Sequence, residues 1–152
     1  ALLHAGAYSD TTRYAAVALC NMSIRNPANQ DAIREAGGIA PLVALLHAGA
    51  DSVAAQEAAG ALWNMSIGNA ANQDAIREAG GIAPLVALLH AGADSVAARK
   101  AADALRCMCR LPAAATSILT AIVGADAPQL DPFPELLGCL QREVAARLER
   151  TA

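Results

Sequence analysis

Apolar and polar residues follow a helical rhythm along this chain, and the rhythm itself recurs every 43 residues. Ala58, Ala61, Leu62 and Met65 sit at helical spacing, and Ala101, Ala104, Leu105 and Met108 repeat them one period later. His4, His47 and His90 keep the same interval, as do Met22, Met65 and Met108. A period of this size indicates stacked helical units, none able to bury its apolar face alone. Each unit divides into three helices. The first is short, Asn29 to Ala36, stopped by Gly37-Gly38. The second runs about Ile39 to Ala48 with Pro41 in its first turn, and is apolar nearly all round, as for a helix between neighbours. The third takes Asp51 or Ser52 as N-cap and runs to about Ile67.

The chain opens partway through a unit, with Ala1 to Ala7 matching the end of a second helix and Ser9 to Arg25 a complete third. It reads as a fragment of a longer array, with Ser9 to Arg25 uncovered on one side and the least stable element. After Arg110 the pattern decays. Leu111-Pro112 stops the helix, residues 113–123 suit a short helix, and 124–132 a loop. Phe133 to Arg150 predicts a long amphipathic helix with Phe133, Leu136, Leu137, Leu140, Val144 and Leu148 as its stripe. Its polar side carries Glu135, Gln141, Arg142, Glu143, Arg147 and Glu149. Two readings stay open for it: a cap for the stack, or the start of another domain near Asp126. The expected fold is an all-α solenoid: a partial unit at 1–25, complete units at 26–68 and 69–111, and a degenerate unit or helical cap at 112–152.

Residues 28–55 and 71–98 are identical, and the copies then part at Gln56/Arg99, Glu57/Lys100, Gly60/Asp103, Trp63/Arg106, Asn64/Cys107 and Ile67/Arg110. On a helix turning roughly 100° per residue these positions fall within about 120° of arc, opposite the shared apolar ones. Exposed residues of the preceding helices, such as Asp31, Arg34 and Glu35, do not differ at all. The divergent face is therefore read as a recognition surface.

Composition narrows the function. At 55% apolar and 3% aromatic, the core is built of Ala, Leu, Ile and Val. A net charge of −3 offers no basic footprint for nucleic acid. The longest apolar runs fall short of the roughly 20 residues a membrane span needs. Four cysteines, at 20, 107, 109 and 139, form no disulfide framework and point to an intracellular, cytoplasmic or nuclear, setting. The histidines, each at the end of a second helix, are too far apart to share a metal, and no nucleophile has a base placed for it. No cofactor and no enzymatic activity are expected.

The unit Asn-Gln-Asp-Ala-Ile-Arg-Glu-Ala-Gly-Gly-Ile-Ala-Pro-Leu-Val-Ala-Leu-Leu, followed by Ala-Leu-Trp-Asn-Met-Ser, resembles the armadillo repeat over about Ala1 to Arg110. The resemblance implies a right-handed superhelix whose third helices line a concave groove, where a ladder of asparagines holds the backbone of an extended peptide. That ladder falls on Asn21 and Asn64, with Cys107 as an interrupted third rung. Nuclear-import adaptors of the family place tryptophans four residues before the ladder. Here Val17, Gly60 and Asp103 stand there, and the pattern looks more like vacuolar-adaptor and plant U-box-associated members.

The expected function is a scaffold binding an extended peptide. Its site would comprise Asn21, Glu57, Gly60, Trp63, Asn64, Arg99, Asp103, Arg106, Cys107 and Arg110. Trp63 beside side-chain-free Gly60 is expected to leave room for an anchoring residue. Arg99, Arg106 and Arg110 make the C-terminal end basic, so the partner should carry an acidic segment beside an apolar one. The alternative is a structural or synthetic consensus-like spacer with no private ligand; an import-adaptor fragment is the weaker third reading.

Overall fold

The structure, a computed structural model, describes residues 9–123 and 128–151. Nine α-helices account for the described residues, which contain no strand: α1 Asp10–Ser23, α2 Pro27–Glu35, α3 Ile39–Leu46, α4 Val53–Ser66, α5 Ala70–Glu78, α6 Ile82–Leu88, α7 Val96–Met108, α8 Pro112–Ile122 and α9 Pro134–Thr151. A short 3₁₀ turn, Leu89–Ala91, extends α6. Among the described residues no helix is long and apolar enough to cross a membrane. His4 and the residues around it lie outside the described set; His47 and His90 are exposed at the ends of α3 and the 3₁₀ turn.

Local chemistry sets the helix bounds. Ser9, Ser52 and Ser95 cap α1, α4 and α7, each accepting from the backbone N–H three residues on. Ser52, not Asp51, is thus the cap of α4. Gly37-Gly38 ends α2 for two separate reasons. Gly37 takes φ 72°, and its N–H and that of Gly38 bond back to Arg34 and Ile33. At Gly38 a Cβ would lie 2.8 Å from the Ile33 side chain and 2.9 Å from its carbonyl oxygen.

The third helices α1, α4, α7 and α9 stack side by side, with α3, α6 and α8 against them. Their facing sides are mostly alanine: Ala58, Ala61, Leu62 and Met65 of α4 and Ala101, Ala104, Leu105 and Met108 of α7 are fully buried. Small residues on facing helices leave room for the helix axes to approach closely.

Consecutive units are joined by a side-chain clasp that explains why the Asn-Gln pair opens each first helix. Asn72 and Gln73 donate to the carbonyls of Met65 (3.1 Å) and Ser66 (2.6 Å), and Asn29 and Gln30 to those of Met22 and Ser23 (2.9 Å each). These are last-turn carbonyls with no partner inside their own helix. Asn69 also reaches back to Asp31 of the preceding unit at 3.0 Å. Asp31 thus has a contact that its copy Asp74 lacks, since Pro112 stands where Asn69 would recur.

One position departs from this economy. Arg25 has φ 48°, at the place where the next unit has Gly68 with φ 64°. A side chain in this region costs about 1–2 kcal/mol, partly offset because glycine is freer in the unfolded chain. Arg25→Gly should therefore stabilise the protein by about 0.5–1 kcal/mol. A urea midpoint that falls instead would show that the arginine makes a contact worth more than its strain.

The apolar stripe predicted for the C-terminal helix is only partly buried. Phe133, Leu136 and Leu140 are buried, but Val144 and Leu148 are 40% and 66% exposed. The second half of the stripe lines an open apolar furrow with Leu119, Ile122 and Leu130 of α8 and the following loop. The polar side of α9 is held by Glu143, which pairs with both Arg147 and Arg150, and by Arg147 donating to the carbonyl of Pro112.

Candidate functional site

Most of the divergent positions are half-buried on α4 and α7, with Ile67 and Arg110 just past their ends, and the structure shows how several are used. Gln56 donates to the carbonyl of Ala50 at 3.2 Å, and its counterpart Arg99 to the carbonyl of Ala93 at 2.7 Å. Two different side chains thus tie the third helix to the same preceding turn. Glu57 and Lys100 differ because they pair with each other across the units, Nζ to Oε1 at 3.0 Å, both more than three-quarters buried.

That ion pair occupies the space expected beside Trp63. Lys100 crosses over Gly60 on its way to Glu57, and a Cβ on Gly60 would lie 3.2 Å from its Cδ and Nζ and 3.1 Å from Cys20 Sγ. Gly60 therefore does not open an anchoring pocket; it makes room for a lysine stem and a thiol of neighbouring units. Trp63 itself is half-buried against the core, with a buried Nε1–H that has no acceptor among the described residues. Burial pushes the Cys20 thiol up, with Glu57 adding to the effect and Lys100 opposing it.

The asparagine rungs are not equivalent. Asn21 is exposed. Asn64 donates its amide to the carbonyl of Cys20 at 3.2 Å, bridging α4 to α1, so only its carbonyl oxygen is left for a ligand. Asn64 is thus part of the fold as well as a candidate contact. Cys107, the third rung, is half-buried.

A fourth rung was not legible. Cys139 of α9 donates to the carbonyl of Arg106 at 3.9 Å, as Asn64 does to Cys20, which stands at the position of Arg106 two units earlier. In the same register Glu135 occupies the position of Gly60: Glu135 meets Arg106 at 3.3 Å where Gly60 meets Cys20. Arg142 then falls at the position of Ile67 and Arg110. The spacing shortens here because α8 replaces the first two helices of a unit, and a search at a fixed 43-residue interval passes over it.

Two clefts open between α7 and α9. One, of about 240 Å³, has Ala102, Phe133 and Leu136 beside Arg99, Asp103, Arg106 and Glu135. The other, of about 280 Å³, is lined by Arg106, Arg110, Glu135, Gly138, Cys139 and Arg142. Arg106 is offset by Asp103 and Glu135, each at 3.3 Å. Arg110 and Arg142 are exposed, with no ion pair among the described residues.

The described residues contain no group of three metal-ligating side chains. Burial, with help from Cys139, pushes the Cys109 thiol up to about 12, so it stays protonated at neutral pH and is a poor nucleophile. What the face offers is shape, hydrogen-bonding groups and charge.

The Armadillo/beta-catenin-like repeat family profile matches residues 26–67 and 69–110. No curated protein sequence matches the chain. Among solved structures, two crystal structures of engineered proteins from the Northeast Structural Genomics Consortium resemble it at 30% and 29% identity, each with TM-score 0.72. They cover 95% of this chain, which spans 35% and 58% of theirs. A designed armadillo repeat protein is 25% identical with TM-score 0.71, over 95% of this chain and 61% of its own. With two consecutive repeats matched over more than half its length, the chain belongs to the armadillo/β-catenin-like repeat family.

Proposed function

We propose that the two near-identical central units act first as a consensus-like structural spacer. The observation that carries this is the Glu57–Lys100 pair over Gly60: groove-side residues that differ between units are used to join them. The likeness to engineered and designed repeat proteins supports the same reading. A double-mutant cycle tests it. Glu57→Ala and Lys100→Ala should show a coupling of about 1 kcal/mol, since the pair is largely shielded from solvent. Additive losses, together with a peptide that loses affinity in either variant, would make these residues ligand contacts and end the spacer reading.

Peptide binding is the second reading, favoured by the clefts between α7 and α9. An armadillo scaffold would there hold an extended, acidic and apolar segment, with Arg99, Asp103, Arg106, Cys107 and Arg110 on α7 and Asn21, Trp63 and Asn64 as flanking contacts. The kinship with vacuolar-adaptor and U-box-associated members, rather than import adaptors, stays part of this reading and rests on Val17, Gly60 and Asp103. An intracellular setting is supported by free thiols at all four cysteines.

A further inference from the structure

The position of Ile67 recurs just past the ends of the stacked helices as Ile24, Ile67 and Arg110, and Arg142 stands at the same register within α9. All four are exposed, the isoleucines at 51% each. The isoleucines leave about half their surface open to solvent, and the two arginines after them have no ion pair among the described residues. Arg110 and Arg142 wall the same cleft of about 280 Å³. Gly138, at the position of Trp63, has no side chain to fill that cleft, and Arg142 Nη1 lies back to 3.4 Å from where its Cβ would be.

We propose that this cleft is an oxyanion subsite, taking a carboxylate or phosphate side chain of an extended peptide whose preceding apolar residue lies on Ile67. The inference rests on the peptide-binding reading and adds to it the residue that is recognised and the place where it sits. Arg106 does not contribute free charge, because Asp103 and Glu135 already offset it. Arg110 and Arg142 do, and a guanidinium suits planar bidentate pairing with carboxylate or phosphate. Neighbouring third helices about 8–10 Å apart set the apolar and anionic residues two to three positions apart in an extended chain. Glu135 stands in the same cleft and opposes the anion.

The test uses short fluorescein-labelled peptides with a leucine followed, two or three positions later, by Glu, phosphoserine, Ser or Lys. Binding is read by anisotropy at low and high salt. The Glu and phosphoserine peptides should bind best and lose affinity with salt, and a phosphoserine peptide well ahead of the Glu peptide identifies phosphate as the ligand. In Arg110→Gln/Arg142→Gln the anionic peptides should weaken about tenfold, to the level of the Ser peptide. Both residues are exposed, so the melting temperature should not move, and Glu135→Gln should strengthen anionic peptides a few-fold. Unchanged anionic binding in the double-arginine variant overturns the subsite while leaving a peptide groove elsewhere. Failure of every peptide to bind the unmodified protein overturns the subsite and the peptide-binding reading together.

Discussion

Met65→Ala should lower the unfolding free energy by about 2–5 kcal/mol, whereas Met22→Ala should cost less than about 1 kcal/mol. The two side chains are the same and stand at the same place in consecutive units. Met65 is fully buried because α4 lies between α1 and α7. Met22 is 51% exposed in this chain. The neighbouring positions follow suit: Ala58, Ala61 and Leu62 are fully buried, while Ala15, Ala18 and Leu19 of α1 are not. Stability in such stacks is approximately a sum over neighbouring units, so an alanine costs what its neighbours lose. Amide exchange should follow the same order, fastest in α1 and slowest in α4 and α7. Equal penalties at the two methionines would mean that α1 is covered in solution, and sedimentation would then have to show association of copies.

Helix positions were legible because each depends on residues close in sequence. The serine caps, Gly37-Gly38 and the Pro112 stop act over three or four residues, and the helices begin and end within a residue or two of where these signals place them. The repeat interval also told which helices stack, since each unit in such an array packs on its immediate neighbours.

Partnerships between units were harder to read. Glu57 and Lys100 looked like one position varied for recognition; they are two ends of one ion pair, and only the stacked geometry brings them together. Gln56 and Arg99 looked equally divergent, yet both reach a carbonyl six residues back. Gly60 was taken for an opening because a missing side chain says nothing about what a neighbour puts there. The cleft between α7 and α9 was half legible: Arg106 and Arg110 stood out, whereas Phe133, Glu135 and Arg142 lie beyond a shortened unit. What the divergent face gained by differing is therefore mostly cohesion in its middle and free charge at its C-terminal end.

The clasp between units should prove about as costly to break as the core. Gln73→Ala should destabilise the protein by about 1–3 kcal/mol, because it strands a buried carbonyl. Gln73 Nε2 reaches Ser66 O at 2.6 Å, and Gln73 itself is only 6% exposed, so little water can replace it. Asn72→Ala should cost less, although Asn72 is fully buried. Its Nδ2 bonds Met65 O at 3.1 Å, but its Oδ1 is buried without a partner among the described residues, and the substitution removes that unsatisfied group too. Asn29→Ala should cost least, since its bond to Met22 O is open to solvent. Gln73→Met separates polarity from packing. It keeps most of the volume and loses the donor, so it should remain about as destabilised as Gln73→Ala. If Gln73→Met unfolds at the same urea concentration as the unmodified chain, the Ser66 carbonyl needs no protein donor. The units would then be joined by apolar packing alone, and the Asn-Gln pair would need another explanation.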